Sequence, residues 1–228
     1  MFMSIHYTVR VINRIKLMPL QTLEEKLISG YKRFRTGRYI DEKALFKDLS
    51  DNGQHPKVMI ISCCDSRAEP AEIFDTQPGD IFVLRNVANM VPEKQDGHVH
   101  DSAYCAIDYA VNVIGVKVIL VMGHESCGGI AAAISGMGNN PQSSLQSWIA
   151  QLNATRDIVL RDYSAEEQQS ALEHESIRQS ISNIAEIDYV KAKIDNAELA
   201  LIGAHFSIHD GSLAIMDESG QFADVALA

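Results

Sequence analysis

The sequence predicts an α/β fold: a central, mostly parallel β-sheet flanked by helices and preceded by an N-terminal helical arm. Three observations carry that reading. Apolar runs at 57–63, 80–85 and 117–123 are each followed by turn residues and a segment of helical period. The runs are apolar throughout instead of alternating, as expected for strands covered on both faces, which argues for parallel pairing through right-handed crossovers. Two of the runs also end on residues with chemistry, Cys63-Cys64-Asp65-Ser66-Arg67 and Gly123-His124-Glu125-Ser126-Cys127-Gly128-Gly129.

The elements follow in order. Residues 1–20 carry Arg10, Arg14 and Lys16 and no acid, while the chain as a whole has a formal charge of −10. They read as an N-terminal extension, flexible or clasping a subunit. A transit peptide, or a start at Met18, is the other expectation, and the segment lacks the apolar core of a secretory signal. Residues 21–228 read as one domain. Thr22 and Glu25 form a capping box ahead of Leu23, Leu27, Ile28, Tyr31 and Phe34 on one helical face. Asp41 is placed to cap a second helix with Leu45, Phe46 and Leu49, and both helices are expected to pack outside the sheet. Strand 57–63 leads to a short helix near 69–75, strand 80–85 to a helix near 100–114, and strand 117–123 to a helix opening at Gly128-Gly129. Leu145, Trp148, Ile149 and Leu152 fit a further helix. Ser164 with Glu167 caps a long one that turns Leu172, Ile177, Ile181 and Ile184 inward. Strands 199–208 and 213–217 close the chain around the hairpin signal Asp210-Gly211.

Composition excludes several classes of function. With 46% hydrophobic and 22% charged residues the chain is an ordinary globular one, long enough to bury a core. The acidic balance has no basic stripe to offset it, which argues against nucleic acid and for a small-molecule substrate or a protein partner. No run of 18 apolar residues is present, so no membrane span is expected. Four cysteines, two of them adjacent, do not make a disulfide framework and fit a reducing, cytoplasmic setting.

Ligands of open parallel sheets bind beyond the carboxyl ends of the strands, where Cys63 and His124 both fall. His124 and Cys127, three apart on a strand-to-helix turn, are able to meet one metal, and Cys63 joins them if the two strands are neighbours. Two thiolates and an imidazole suit zinc, and three protein ligands leave a position for water or substrate, the mark of a catalytic site. Taken singly, each cysteine reads as a small buried hydrophobe and the histidine as a hydrogen-bonded core residue. Their matched positions at two strand ends favour the metal. Cys64 faces away by strand alternation and, with Cys105, is expected in the core. Asp65 and Arg67 are either a surface ion pair or a dyad beside the metal. In the dyad, Arg67 keeps Asp65 ionised and off the metal, leaving it to orient or deprotonate a zinc-activated water.

Together these residues resemble the β-class carbonic anhydrases, from about Leu27 to Phe222. The resemblance rests on Cys63-x-Asp65-Ser66-Arg67, Arg85-Asn86-Val87-Ala88-Asn89 and His124-x-x-Cys127-Gly128-Gly129, in that order and spacing. It implies one Zn(2+) per chain on Cys63, His124 and Cys127, with Asp65 and Arg67 as catalytic residues. The implied reaction is the reversible hydration of carbon dioxide to bicarbonate and a proton by a zinc-bound hydroxide. It also implies a homodimer or homotetramer with sites at the subunit interface. Gly53-Gln54-His55-Pro56 matches the plant-type pattern with an open active site, in which Gln54 donates a hydrogen bond to substrate. Phe82, Val87, Tyr109 and Gly128 match the substrate pocket, with Tyr109 expected to reach across the interface. The regulated pattern with a tryptophan ahead of the first motif is not matched, since the single tryptophan is Trp148. Departures from the family pattern are Cys64, the polar loop 93–101 with His98 and His100, and His205 where an aromatic is common.

Two rival functions are a carbonyl sulfide or carbon disulfide hydrolase on the same zinc site, and a non-catalytic zinc-stabilised protein. The set Gln54, Asp65 and Arg67 favours carbon dioxide over the first. A structural site wants a fourth Cys or His ligand near the motifs, and the sequence offers none.

Overall fold

The computed structural model describes residues 25–93, 102–136 and 143–226. The chain divides at Gly53 into two compact units. The boundary expected at residue 20, the proposed cap Thr22 and the loop histidines His98 and His100 lie outside the described residues.

In the first unit α1 (Glu25–Thr36), α2 (Arg38–Asp41) and α3 (Lys43–Asn52) follow one another closely. Phe34, Tyr39 and Phe46 pack edge-on and tilted with ring centroids 5.2–5.9 Å apart, and the Arg35 guanidinium lies 4.3 Å from the Tyr39 ring. Leu27 and Tyr31 on α1 are more than half exposed. Asp41 does not cap α3. It is the last residue of α2, and Glu42 stands at the α3 N-cap with no side-chain capping bond. Gly37 breaks the first helix too near Asp41 for the following turn to start there, and instead Arg38 pairs with Glu42 across the junction.

The second unit holds a six-stranded sheet in the order β2-β1-β3-β4-β5-β6. Its strands are β1 (Val58–Cys63), β2 (Ile81–Asn86), β3 (Val118–His124), β4 (Ala200–Phe206), β5 (Leu213–Met216) and β6 (Phe222–Asp224). The first four in space are parallel, and β5 and β6 run antiparallel at the end. Alternation along β1 and β3 splits their side chains between two cores. Met59, Ile61, Ile119 and Val121 pack on one face with Ile107, Val111, Ile177, Ile184 and Val190 of the flanking helices. Ile60, Leu120 and Met122 pack on the other with Ile73, Phe74 and Ile202. That is why these strands carry no polar alternation.

Helices α4 (Pro70–Ile73), α5 (Ser102–Asp108), α6 (Gly128–Ile134), α7 (Ser144–Ile149), α8 (Asn153–Asp162), α9 (Gln168–Ala185) and α10 (Asp188–Asp195) complete the unit. Past α5 the chain continues as a π-helical segment, Tyr109–Ile114, closed by the Gly115 N–H on the Ala110 carbonyl. The segment expected as one helix around Trp148 runs α7, a 3-10 turn, then α8. Ile149 and Leu152 are fully buried and Leu145 is exposed. The Asp210-Gly211 turn is present, with Gly211 at φ 78° and the Asp210 carboxylate accepting the Ser212 N–H at 2.9 Å. β6 was not expected: three residues give no usable alternation. Its turn chemistry is nevertheless in the sequence, because Asp217 Oδ1 accepts the Ser219 and Gln221 N–H groups while Gly220 takes φ 81°.

Candidate metal centre

The chain order β1 to β2 runs one way from β1, and β3 to β4 runs the other way, so the sheet reverses between β1 and β3. The carboxyl ends of those neighbours form the crevice where open α/β sheets bind ligands. With Ser62 paired to Met122, Cys63 and His124 emerge side by side. The turn after β3 brings Cys127 back to them at the N-cap of α6.

Cys63, His124 and Cys127 are all buried, and their ligand atoms lie within 4.8 Å of one another. The two Sγ atoms are 3.9 Å apart. Two sulfurs about 2.3 Å from one tetrahedral ion would sit about 3.8 Å apart, so the spacing fits zinc. His124 Nδ1 lies 2.9 Å from the Glu125 carbonyl, to which it is able to donate, and this frees the Nε2 lone pair. That Nε2 is buried with no hydrogen-bond partner. An orphaned buried imidazole nitrogen beside two sulfurs is what a metal would satisfy. The hydrogen bond from the Cys127 thiol holds the Cys63 thiol down to about 4, against burial, and the same contact pushes Cys127 up. A cation bound there would displace a proton held between the two sulfurs.

Asp65 stands just outside. Arg67 donates to Oδ1 from its backbone N–H (2.9 Å) and Nε (3.0 Å), and to Oδ2 from Nη2 (2.7 Å). Nη2 also reaches the Ser126 carbonyl at 3.1 Å, tying the two motifs together. The Arg67 hydrogen bonds hold the Asp65 carboxyl well below the usual carboxylate range. Asp65 Oδ2 lies 4.0 Å from His124 Nε2 and does not join the cluster. The pair is a bidentate one that sits beside the Cys-His-Cys group, with Arg67 itself half exposed.

Two expectations about cysteines are corrected. Cys64 and Cys105 are both exposed. Strand β1 ends at Cys63, so Cys64 leaves the covered sheet while its N–H donates to the Asn86 carbonyl. Cys105 lies off the Ala103–Ile107 stripe that α5 turns inward.

The expected pocket residues divide. Val87 packs on the turn after Cys127, where a Cβ on Gly129 would come within 2.7 Å of Val87 Cγ1. Gly128 opens α6 with free space where a side chain would be. Gln54, Phe82 and Tyr109 are not brought to the same metal group. Gln54 is exposed ahead of β1, whereas Cys63 is at the far end of that strand. Phe82 is level with Met59, four residues and therefore about 13 Å short of Cys63. Its ring packs 5.9 Å from that of Tyr109, which is half exposed on the π-helical segment.

Several supporting residues escaped the sequence reading. Arg85 donates to the Cys63 and Asp65 carbonyls at 2.9 and 2.7 Å and pairs with Glu69, so it holds the first motif by its backbone. Trp148 donates its indole N–H to the Val87 carbonyl at 2.8 Å. Helix α9 buries a polar stripe, Glu173, Ser176 and Ser180, beside its apolar one. The two serines bond to the loop where Ala88 and Asn89 take φ 61° and 48°, through the Ala88 and Asn89 carbonyls and the Val91 N–H. Glu173 accepts the Cys127 N–H at 3.0 Å. The i, i+3, i+7 spacing of buried polar residues was the readable signal.

The carbonic anhydrase family pattern matches residues 58–213. Beta carbonic anhydrase 6, mitochondrial, of Arabidopsis thaliana is 34% identical over 188 residues, which cover 80% of this chain and 64% of that protein. Beta carbonic anhydrase 3 of the same organism is 30% identical over 199 residues, 85% of this chain and 76% of that one. Among solved structures, the β-carbonic anhydrase CcaA superposes with a TM-score of 0.81 at 27% identity, over 88% of this chain and 98% of that chain. A match that runs through both motif-bearing strands, joined by relatives aligned over most of the chain, leaves one assignment: the protein belongs to the carbonic anhydrase family, in its β class, a family of zinc lyases.

Proposed function

We propose that the protein catalyses the reversible hydration of carbon dioxide to bicarbonate and a proton, using one zinc ion per chain held by Cys63 Sγ, His124 Nε2 and Cys127 Sγ. The observation that carries this reading is the partnerless His124 Nε2 buried against two sulfurs, with a charged dyad beside it. When bound, zinc would supply a Lewis acid that lowers the pKa of a water to about 7, as it does in carbonic anhydrases with three histidine ligands. The chain's own residues do the rest. Asp65 Oδ2, 4.0 Å from His124 Nε2, would accept a hydrogen bond from a water held there. Because Arg67 keeps the carboxylate ionised, Asp65 would orient that water and would not be where its proton rests. Val87 gives an apolar wall for a non-polar substrate, and the missing side chain of Gly128 leaves room for it. Stopped-flow hydration of carbon dioxide tests the reading. Zinc-loaded protein is expected to be active, to lose activity to a strong chelator, and to regain it with zinc. No rate above buffer from zinc-replete protein would overturn it.

The active assembly is a homodimer or a homotetramer, because one chain leaves Gln54, Phe82 and Tyr109 away from its own ligands. A second copy that presents these three to the first completes a pocket of the plant-type pattern. The exposed ring of Tyr109 and the edge position of β2 support this. Sedimentation at micromolar concentration should give at least twice the 25.2 kDa chain mass. A stable monomer with full activity would contradict it. A reducing, cytoplasmic setting suits a site built on two free buried thiols. No helix among the described residues is long and apolar enough to cross a membrane.

A further inference from the structure

Glu173 is nearly fully buried, yet it touches no substrate position and the reaction as described does not use it. Its Oε1 accepts the Cys127 N–H at 3.0 Å and the Gln169 Nε2–H at 2.6 Å. Gln169, one turn earlier on α9, also donates to the Cys127 carbonyl at 3.1 Å. Both backbone polar groups of Cys127 are therefore gripped by one pair of side chains at i and i+4. The other carboxylate oxygen, Oε2, is 3.0 Å from His205 Nε2, and His205 sits on β4 in register with Gly123, directly before the ligand His124. The His205 ring is in turn packed edge-on against His174, which stacks on Phe222. The grip is needed because the turn it holds is not a relaxed one: Ser126, just before Cys127, takes φ 56° without being glycine.

We propose that Glu173, with Gln169, is a positioning residue that fixes Cys127 for the metal, and that His205 orients Glu173. The inference rests on the reading that Cys127 binds zinc. Groups that orient metal ligands by hydrogen bonds typically change metal affinity by 10–100-fold when removed. The test compares two uncharged replacements of similar length. Glu173→Gln keeps an acceptor for the Cys127 N–H, whereas Glu173→Met fills the space without one. Affinity for zinc, measured by competition with a chromophoric chelator, should fall by about 10–100-fold in Glu173→Met and stay within about threefold of the parent in Glu173→Gln. The thiolate-to-cobalt charge-transfer band of the Co(II) proteins should likewise be perturbed in the Met variant and restored in the Gln variant. Asn183→Ala, which removes a bond from the same helix to the Val91 carbonyl, should leave both unchanged. Met binding zinc as well as the parent, or Gln binding as poorly as Met, overturns the inference. If Glu173→Met does not fold, Gln169→Met takes its place, with a several-fold loss of affinity expected and parental affinity overturning the idea. A parent protein that binds no zinc would instead sink the zinc reading itself, so the two failures are distinguishable.

Discussion

Cys127→Ala protein is expected to carry almost no zinc and to show no measurable carbon dioxide hydration. Cys127 supplies one of three donor atoms in the described cluster, and the substitution removes its sulfur outright. If the whole site binds with about 10 kcal/mol or more, a lost donor removes on the order of a third of that, which is more than two decades in affinity. Zinc content by elemental analysis, after dialysis against a chelator, is the measurement. Cys127 is buried in a third cluster with Met90, Ile130, Ile149 and Leu172, so some stability should be lost; the fold itself should persist, because the cores on the two sheet faces do not include Cys127 and the Glu173 contact is to its backbone. Far-UV circular dichroism checks that. Stoichiometric zinc in a folded variant would remove Cys127 from the ligand set.

Asp65→Asn protein should keep its zinc and lose at least about tenfold in the hydration rate constant. General acid–base groups contribute typically about 10²–10⁴-fold, and an orienting acceptor lies toward the lower end of that range. The amide has the same size, so the metal group is left alone. It cannot, however, accept from Arg67 through both atoms and still offer an acceptor toward His124, as the carboxylate does. Arg67→Ala is expected to fail differently. It releases Asp65 from its bidentate hold, and the freed carboxylate, already 4.0 Å from His124 Nε2, is close enough to swing onto the metal as a fourth ligand. A crystal structure of that variant would show four protein ligands. If zinc-replete Asp65→Asn hydrates carbon dioxide at the parental rate, Asp65 has no part in the reaction.

The Cys63, His124 and Cys127 group was legible in the sequence because strand ends are easy to find: an apolar run stops, and the next residues are Cys63 or His124. The parallel core was legible for the same reason, since Val58–Cys63 and Val118–His124 are apolar on both faces. Cys64 was misplaced because strand alternation holds only inside the strand, and Cys105 because being in a helix does not say which face a residue takes. One sits just past a strand end and the other off the buried stripe of a short helix. The β6 strand and the support from α9 carry weaker signals, a turn built around Asp217 and buried polar residues in an otherwise apolar helix.

By itself, then, the sequence determined the donor types, their order and the α/β class, all of which depend on local periodicity and on residue chemistry. Only the tertiary structure decided that β1 and β3 are neighbours, that Arg67 spends its donors on Asp65 and Ser126, and that Glu173 reaches Cys127 from 46 positions away. Within one chain it places Gln54, Phe82 and Tyr109 away from that chain's own Cys63, His124 and Cys127. A strand has two ends some 16 Å apart, and which end a residue occupies is decided by the sheet into which its strand is built.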